Sequence, residues 1–196
     1  MLRIRKFLFK YAWFLAAVLI VLGYFALFRT AEVSGSSMEP TYHNKDLLLM
    51  RRLGHIARGD IIAVYSEKMN EILCKRVIGI EGDHIVVNSD GLFVNDEKVT
   101  EDYVIREDWY TVSATVDYVV PAGEIFVMGD NRVASTDSRV LGSQPVSSVT
   151  GVVLFNMTKT FGFRRDALIR AVVVLLVCSL CCDVYKRLHG VTKNKE

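Results

Sequence analysis

Apolar residues follow two regimes along this chain. Long runs occupy both ends, and short runs broken by polar turns fill the middle. The first long run, residues 7–28 (FLFKYAWFLAAVLIVLGYFALF), holds a single Lys near its start. At ~1.5 Å of rise per residue its length suffices to cross a hydrocarbon core of ~30 Å. Arg3, Arg5, Lys6 and Lys10 lie at its beginning and Arg29 alone at its end. The positive-inside bias then puts the N-terminus in the cytoplasm and the middle of the chain outside. A cleavable leader would have a shorter apolar region, about 7–15 residues, ending in a small-residue cleavage site. The exit Ala26-Leu27-Phe28-Arg29-Thr30 offers no such site, so the run reads as an uncleaved anchor. The last apolar run, 167–182 (ALIRAVVVLLVCSLCC), is interrupted by Arg170. It reads as a second span, with Arg170 snorkelling to the interface, or as an interfacial helix.

Between these ends, residues 30–160 carry short apolar stretches at 46–50, 60–65, 72–78, 84–87, 91–94, 117–120, 124–128 and 151–155. Turn signals such as Arg58-Gly59-Asp60 and Glu81-Gly82-Asp83 separate them, and no long stretch with a 3.6-residue period intervenes. This pattern predicts a mainly β domain, an antiparallel sheet or partly closed barrel. Asn88-Ser89-Asp90-Gly91 reads as a hairpin turn, and the more polar stretch 95–117 as a small cap or insertion. Three segments follow: a cytoplasmic N-terminus and anchor at 1–29, an extracytoplasmic β domain at 30–160, and a second span or interfacial helix with a basic cytoplasmic tail at 161–196.

Composition sharpens this in three respects. The chain is 51% hydrophobic, with the excess at its ends. Its net charge of +2 sits beside the apolar runs rather than in a patch suited to nucleic acid. Of four cysteines, Cys178, Cys181 and Cys182 fall in the last apolar run, which leaves Cys74 alone in the β domain and permits no disulfide there.

The candidate chemistry centres on SGSSMEPT, residues 34–41, which places three serines just beyond the anchor. A serine nucleophile needs a base. His43, His55, His84 and His189 lie in turns, a strand start or the tail, and none is marked out as a triad member. Paired Cys or His at metal spacing is absent, so no metal or organic cofactor is implied. Lys75 is flanked on both sides by apolar residues in ILCKRVIGI. Burial there would lower its pKa and let it accept a hydroxyl proton. An isolated Lys on a strand more often points to solvent.

Three boxes then occur in order: Ser37-Met38-Glu39-Pro40-Thr41; Lys75-Arg76-Val77-Ile78-Gly79 with Gly82-Asp83; and Gly129-Asp130-Asn131-Arg132 with Ser135, Asp137, Ser138, Arg139 and Gly142. Together they resemble the type I signal peptidases, membrane-anchored Ser/Lys endopeptidases that remove signal peptides from exported proteins. The resemblance implies Ser37 as nucleophile, Lys75 as general base and Ser135 as the hydroxyl that orients the lysine amine. It also implies Arg76, Asp130, Asp137 and Arg139 as charged residues bracing the site, in pairs the sequence does not assign. The oxyanion donor would be the Ser37 backbone N–H; Gly35 stands where some family members carry a second, hydroxyl donor. An extended preprotein would add as a strand beside Val33 and Leu73. Val33, Met38, Tyr42, Leu73 and Cys74 are the candidates for lining its side-chain pockets. Implied partners are preprotein signal peptides, the lipid bilayer of a bacterial plasma membrane and the protein-export machinery. Two rivals differ in what they predict. A self-cleaving Ser/Lys repressor would carry a DNA-binding domain where this chain has an anchor. An idle homologue, acting as a chaperone for surface-protein assembly, would not need Ser37, Lys75 and Ser135 together.

Overall fold

A computed structural model describes residues 16, 19, 22–52, 54–104 and 115–162. Among them, eleven strands form two antiparallel sheets: β1 Phe28–Glu32, β2 Leu47–Arg51, β3 Ile61–Ser66, β4 Glu71–Ile80, β5 His84–Asn88, β6 Gly91–Val94, β7 Glu97–Lys98, β8 Val116–Val119, β9 Glu124–Met128, β10 Gln144–Pro145 and β11 Val149–Asn156. The larger sheet runs β1-β2-β11-β3-β4-β9-β10 and the smaller β7-β6-β5-β8. The mainly β reading holds. No closed barrel forms among the described residues, because β1 and β10 end the larger sheet without pairing to each other. Two short helices, α1 Ser138–Leu141 and α2 Met157–Phe161, follow the sheet strands.

Among the described residues no helix is long and apolar enough to cross a membrane. Within the expected anchor the described residues are 16, 19 and 22–28, of which 22–27 are helical and lead into β1. The expected second span and basic tail, and most of the polar stretch at 95–117, lie outside the described residues.

Strand composition explains the two layers. In β9 every residue from Ile125 to Met128 is buried, as a strand covered on both faces requires. Ile125 and Val127 pack with Ile62, Val64, Val77 and Val152 on one face. Phe126 and Met128 pack on the other with Ile78 and with Ile85, Val87, Leu92 and Val94 of the smaller sheet. In β5 burial alternates, so only Ile85 and Val87 face the core. The predicted hairpin forms: Asn88 pairs with Gly91, and Asn88 Oδ1 accepts the Asp90 N–H at 2.8 Å.

β4 organises the domain. It pairs with β3 along Glu71–Arg76, but with β9 only from Arg76 onward. Among the described residues, 71–75 therefore keep one unpaired backbone edge. Alternation places Leu73, Lys75 and Val77 on one face and Cys74, Arg76 and Ile78 on the other. A register shift at Val77/Gly79 bends the strand toward the smaller sheet. Gly79 sits at the bend, where a Cβ would lie 2.6 Å from Ile85 Cδ1.

Candidate active site

The turn after β1 carries Ser37, and β4 carries Lys75. Lys75 Nζ lies 2.7 Å from Ser37 Oγ, within hydrogen-bonding distance. Lys75 is 3% exposed, and burial lowers its pKa below the ordinary lysine value, with the nearby Asp137 carboxylate acting in the opposite direction. The solvent-facing alternative for Lys75 is thereby excluded. Of the three serines, it is the third that meets the lysine.

The loop after β9 holds the Ser37 turn. Asn131 donates its backbone N–H to Ser37 O at 3.0 Å and its side-chain amide to Ser36 O at 3.1 Å. Gly129 permits this approach, because a Cβ there would lie 2.5 Å from Ser37 O and 2.3 Å from Ser135 Oγ. Ser135 Oγ is buried with no hydrogen-bond partner among the described residues. The bond from Ser135 to the lysine amine that the resemblance implies is not formed here. An unpaired buried hydroxyl costs ~1–3 kcal/mol, so such a group is uncommon away from working sites.

The four bracing charges fall into two pairs. Arg76 grips Asp130 with two parallel bonds, Nε to Oδ1 at 2.8 Å and Nη2 to Oδ2 at 2.6 Å. Thr41 donates a third bond to Asp130 at 2.5 Å, which ties the SMEPT box to the loop. Arg139 grips Asp137 in the same forked way, at 2.8 Å on each side. Asp137 also accepts the Gly129 N–H at 3.0 Å and caps α1. Both carboxylates are fully buried, and such groups are tolerated only when paired and hydrogen-bonded.

A cleft of about 350 Å³ opens beside the Ser37–Lys75 pair. Its walls are residues 31–37 and 71–75, and Leu48, Met50 and Ala63 line it between them. One wall runs from the end of β1 into the turn that carries Ser37, and the other is the stretch of β4 that pairs with β3 alone among the described residues. Of the five candidates for lining substrate pockets, Val33, Leu73 and Cys74 line this cleft. Met38 and Tyr42 do not. Met38 is 1% exposed and belongs to the packed core, as its apolar side chain favours. Tyr42 is half-buried among Cys74, Arg76 and Asp130, and burial pushes its phenol up to about 12. Burial likewise pushes the Cys74 thiol up to about 12, so it lines the cleft as a neutral thiol.

Three participants escaped the sequence reading: Thr41 in its bracing role, the Arg132–Glu101 ion pair, and Tyr103, whose ring lies 3.9 Å from Arg76 Cζ. Thr41 and Arg132 stood inside quoted boxes, and an Arg in an otherwise tight loop was the available signal. Glu101 and Tyr103, in the polar stretch TEDY, carried none.

The described residues thus form an antiparallel β domain that buries a lysine amine within hydrogen-bonding distance of a serine hydroxyl. The family model for signal peptidase, peptidase S26, matches residues 5–158, and the chain belongs to that family of serine endopeptidases. Signal peptidase I of Bacillus caldolyticus is 34% identical over 79% of this chain and 94% of its own length. Signal peptidase I U of Bacillus subtilis (strain 168) is 38% identical over 55% of this chain, and the match spans 63% of that protein's length. A crystal structure of a signal peptidase I from Enterococcus faecalis V583 aligns with a TM-score of 0.46 and 30% identity, over 52% of this chain and 99% of that one.

Proposed function

We propose that this chain is a signal peptidase that cleaves signal peptides from preproteins with Ser37 as nucleophile and Lys75 as general base. The observation that carries the reading is the 2.7 Å approach of a buried lysine amine to the third serine of SGSSMEPT. A lysine with lowered pKa reaches its neutral, proton-accepting form at lower pH than a solvated one. As Ser37 Oγ bonds to the scissile carbonyl carbon, its proton passes to Lys75. The lysine ammonium then gives that proton to the departing amine as the C–N bond breaks, leaving an ester on Ser37. Water attacks the ester while Lys75 takes the water proton, and the proton returns to Ser37 as the acid product leaves.

The Ser37 backbone N–H is the proposed oxyanion donor. Gly35, at φ +87° with open space beside its Cα, adds no side-chain donor. Ser135, its hydroxyl unpaired against the Gly129 backbone, is the proposed partner that holds the lysine amine during proton transfer. The Arg76–Asp130 pair ties β4 to the loop after β9, and the Arg139–Asp137 pair braces that loop itself, where Asp137 accepts the Gly129 N–H. Preprotein strand addition is supported by the stretch 71–75 of β4, which pairs with β3 alone among the described residues and lines the cleft, with Val33, Leu73 and Cys74 meeting its side chains. The proposed setting is the outer face of a bacterial plasma membrane, with the apolar run at 7–28 as anchor and the export machinery nearby.

The test is cleavage of a preprotein by full-length protein in detergent or lipid. Ser37→Ala and Lys75→Ala are each expected to abolish cleavage, and Ser36→Ala to retain most of it. Normal processing by the Ser37→Ala protein would sink the assignment.

A further inference from the structure

We infer that Tyr103 and Glu101 form a clasp that sets the position of the lysine-bearing strand, which makes them positioning residues for the proposed reaction. The inference rests on the Ser37/Lys75 reading of the site. It starts from β4, whose stretch 71–75 is hydrogen-bonded on one side only. Backbone pairing alone leaves Lys75 less constrained than a residue in mid-sheet, so the contacts of its neighbour Arg76 matter more.

Arg76 projects to the face of β4 opposite Lys75 and meets the Tyr103 ring at 3.9 Å from the centroid. That separation is well within cation–π range, and the guanidinium is mostly shielded from water. Tyr103 Oη donates to Glu101 Oε1 at 2.8 Å. Glu101 receives the fork of Arg132, with Nη2 2.5 Å from Oε1 and Nη1 on Oε2. Arg132 Nε in turn donates to Gly129 O at 2.9 Å. The Arg132 side chain is 0% exposed, so this carboxylate partner is a buried one.

These contacts close a circuit. From Gly129 the backbone leads to Asp130, whose carboxylate holds Arg76; Arg76 lies over Tyr103, and Glu101 and Arg132 return the path to Gly129 O. The same loop holds Ser37 through Asn131. Displacing Tyr103 therefore loosens the relation between the two reacting side chains without touching either. The clasp is itself anchored, since Val104 lies in the core of the smaller sheet and Val99 and Tyr103 pack against it. The smaller sheet, whose strands do not line the cleft, acquires a part in catalysis through this segment. Burial, with the Glu101 charge beside it, pushes the Tyr103 phenol upward, so it stays a neutral donor.

Full-length protein in detergent, cleaving a preprotein, provides the test. Tyr103→Phe keeps the ring over Arg76 but cuts the bond to Glu101, and is expected to lose about threefold in kcat. Tyr103→Leu removes the ring and is expected to lose about tenfold in kcat, with KM changed by less than about twofold. Parent-like kcat in Tyr103→Leu, equal impairment of Tyr103→Phe, or a loss carried by KM overturns the inference. If Tyr103→Leu does not fold, Tyr103→Met fills the space without a π face and carries the same expectations. Lys75→Ala assayed alongside separates two failures. Cleavage by Lys75→Ala overturns the site reading itself, whereas an inactive Lys75→Ala beside a fully active Tyr103→Leu overturns the clasp alone.

Discussion

Adding one methyl group at Gly129 probes the site's construction more sharply than deleting a charge. Its φ lies outside the left-handed region, so alanine strains no backbone there and the effect is steric. The new Cβ would sit 2.3 Å from Ser135 Oγ, 2.5 Å from Ser37 O and 2.6 Å from Ser135 Cβ. Side-chain carbons essentially never approach other atoms within 3.0 Å, so the Ser37 carbonyl must retreat by about 0.5 Å and the Ser135 hydroxyl by about 0.7 Å. Ser37 O cannot yield freely, because it accepts the Asn131 N–H at 3.0 Å. A misplacement of ~1 Å at a reacting centre costs ~100-fold in rate, so Gly129→Ala should lose about 10- to 100-fold in kcat. Overpacking of this kind costs about 1–3 kcal/mol of stability, which leaves the domain folded if its stability is ordinary. Preprotein cleavage measured beside urea unfolding separates the two effects. A folded Gly129→Ala protein with kcat within about twofold of the parent would refute the claim that Gly129 seats both serines.

Two stability predictions follow from charge burial. Burying Lys75 lowers its pKa from ~10.4, so the unfolded chain binds that proton more tightly. The cost is full below the folded pKa and fades as pH rises toward the unfolded value. Lys75→Met should therefore be more stable than the parent at about pH 7 and lose that advantage by about pH 10; a pH-independent difference in urea midpoints would contradict it. Asp83 has the opposite sign. Burial pushes its carboxyl up, but the Arg58 fork, the Ile80 N–H and Asn95 outweigh this and hold it below ~3.9. Its contribution is present above the unfolded pKa and lost as pH falls through the folded one. Asp83→Asn should be less stable than the parent near pH 7 and converge with it in strong acid, and a gap that persists there would count against the pairing.

Much of this molecule was legible in its sequence, for physical reasons that also mark where legibility stopped. β5, β6 and β9 matched the reading within a residue because alternation or unbroken apolar runs between Gly and Asn turns are local signals. β1 did not announce itself: Phe28–Glu32 reads as the exit of an apolar run, and becomes a strand only through pairing with β2. β10 is two residues long and exists only as a partner of β9. The boxes singled out Ser37, Lys75 and four charged residues as candidates, yet the pairing of Arg76 with Asp130 and Arg139 with Asp137 is tertiary. Met38 illustrates the converse. Adjacent to the candidate nucleophile, it looked like a cleft residue, but turn geometry sends it into the core. Glu101 in a polar stretch gave no hint that it would be buried against Arg132.

The pH dependence of kcat/KM tests the central claim, a serine activated by a buried lysine, most directly. Because the base must be neutral, activity should rise with pH through the pKa of Lys75 in the free enzyme. The burial seen here predicts that this acid limb has its midpoint below the ~10.4 of a solvated lysine. A protein with no activity until strongly alkaline pH would contradict the account.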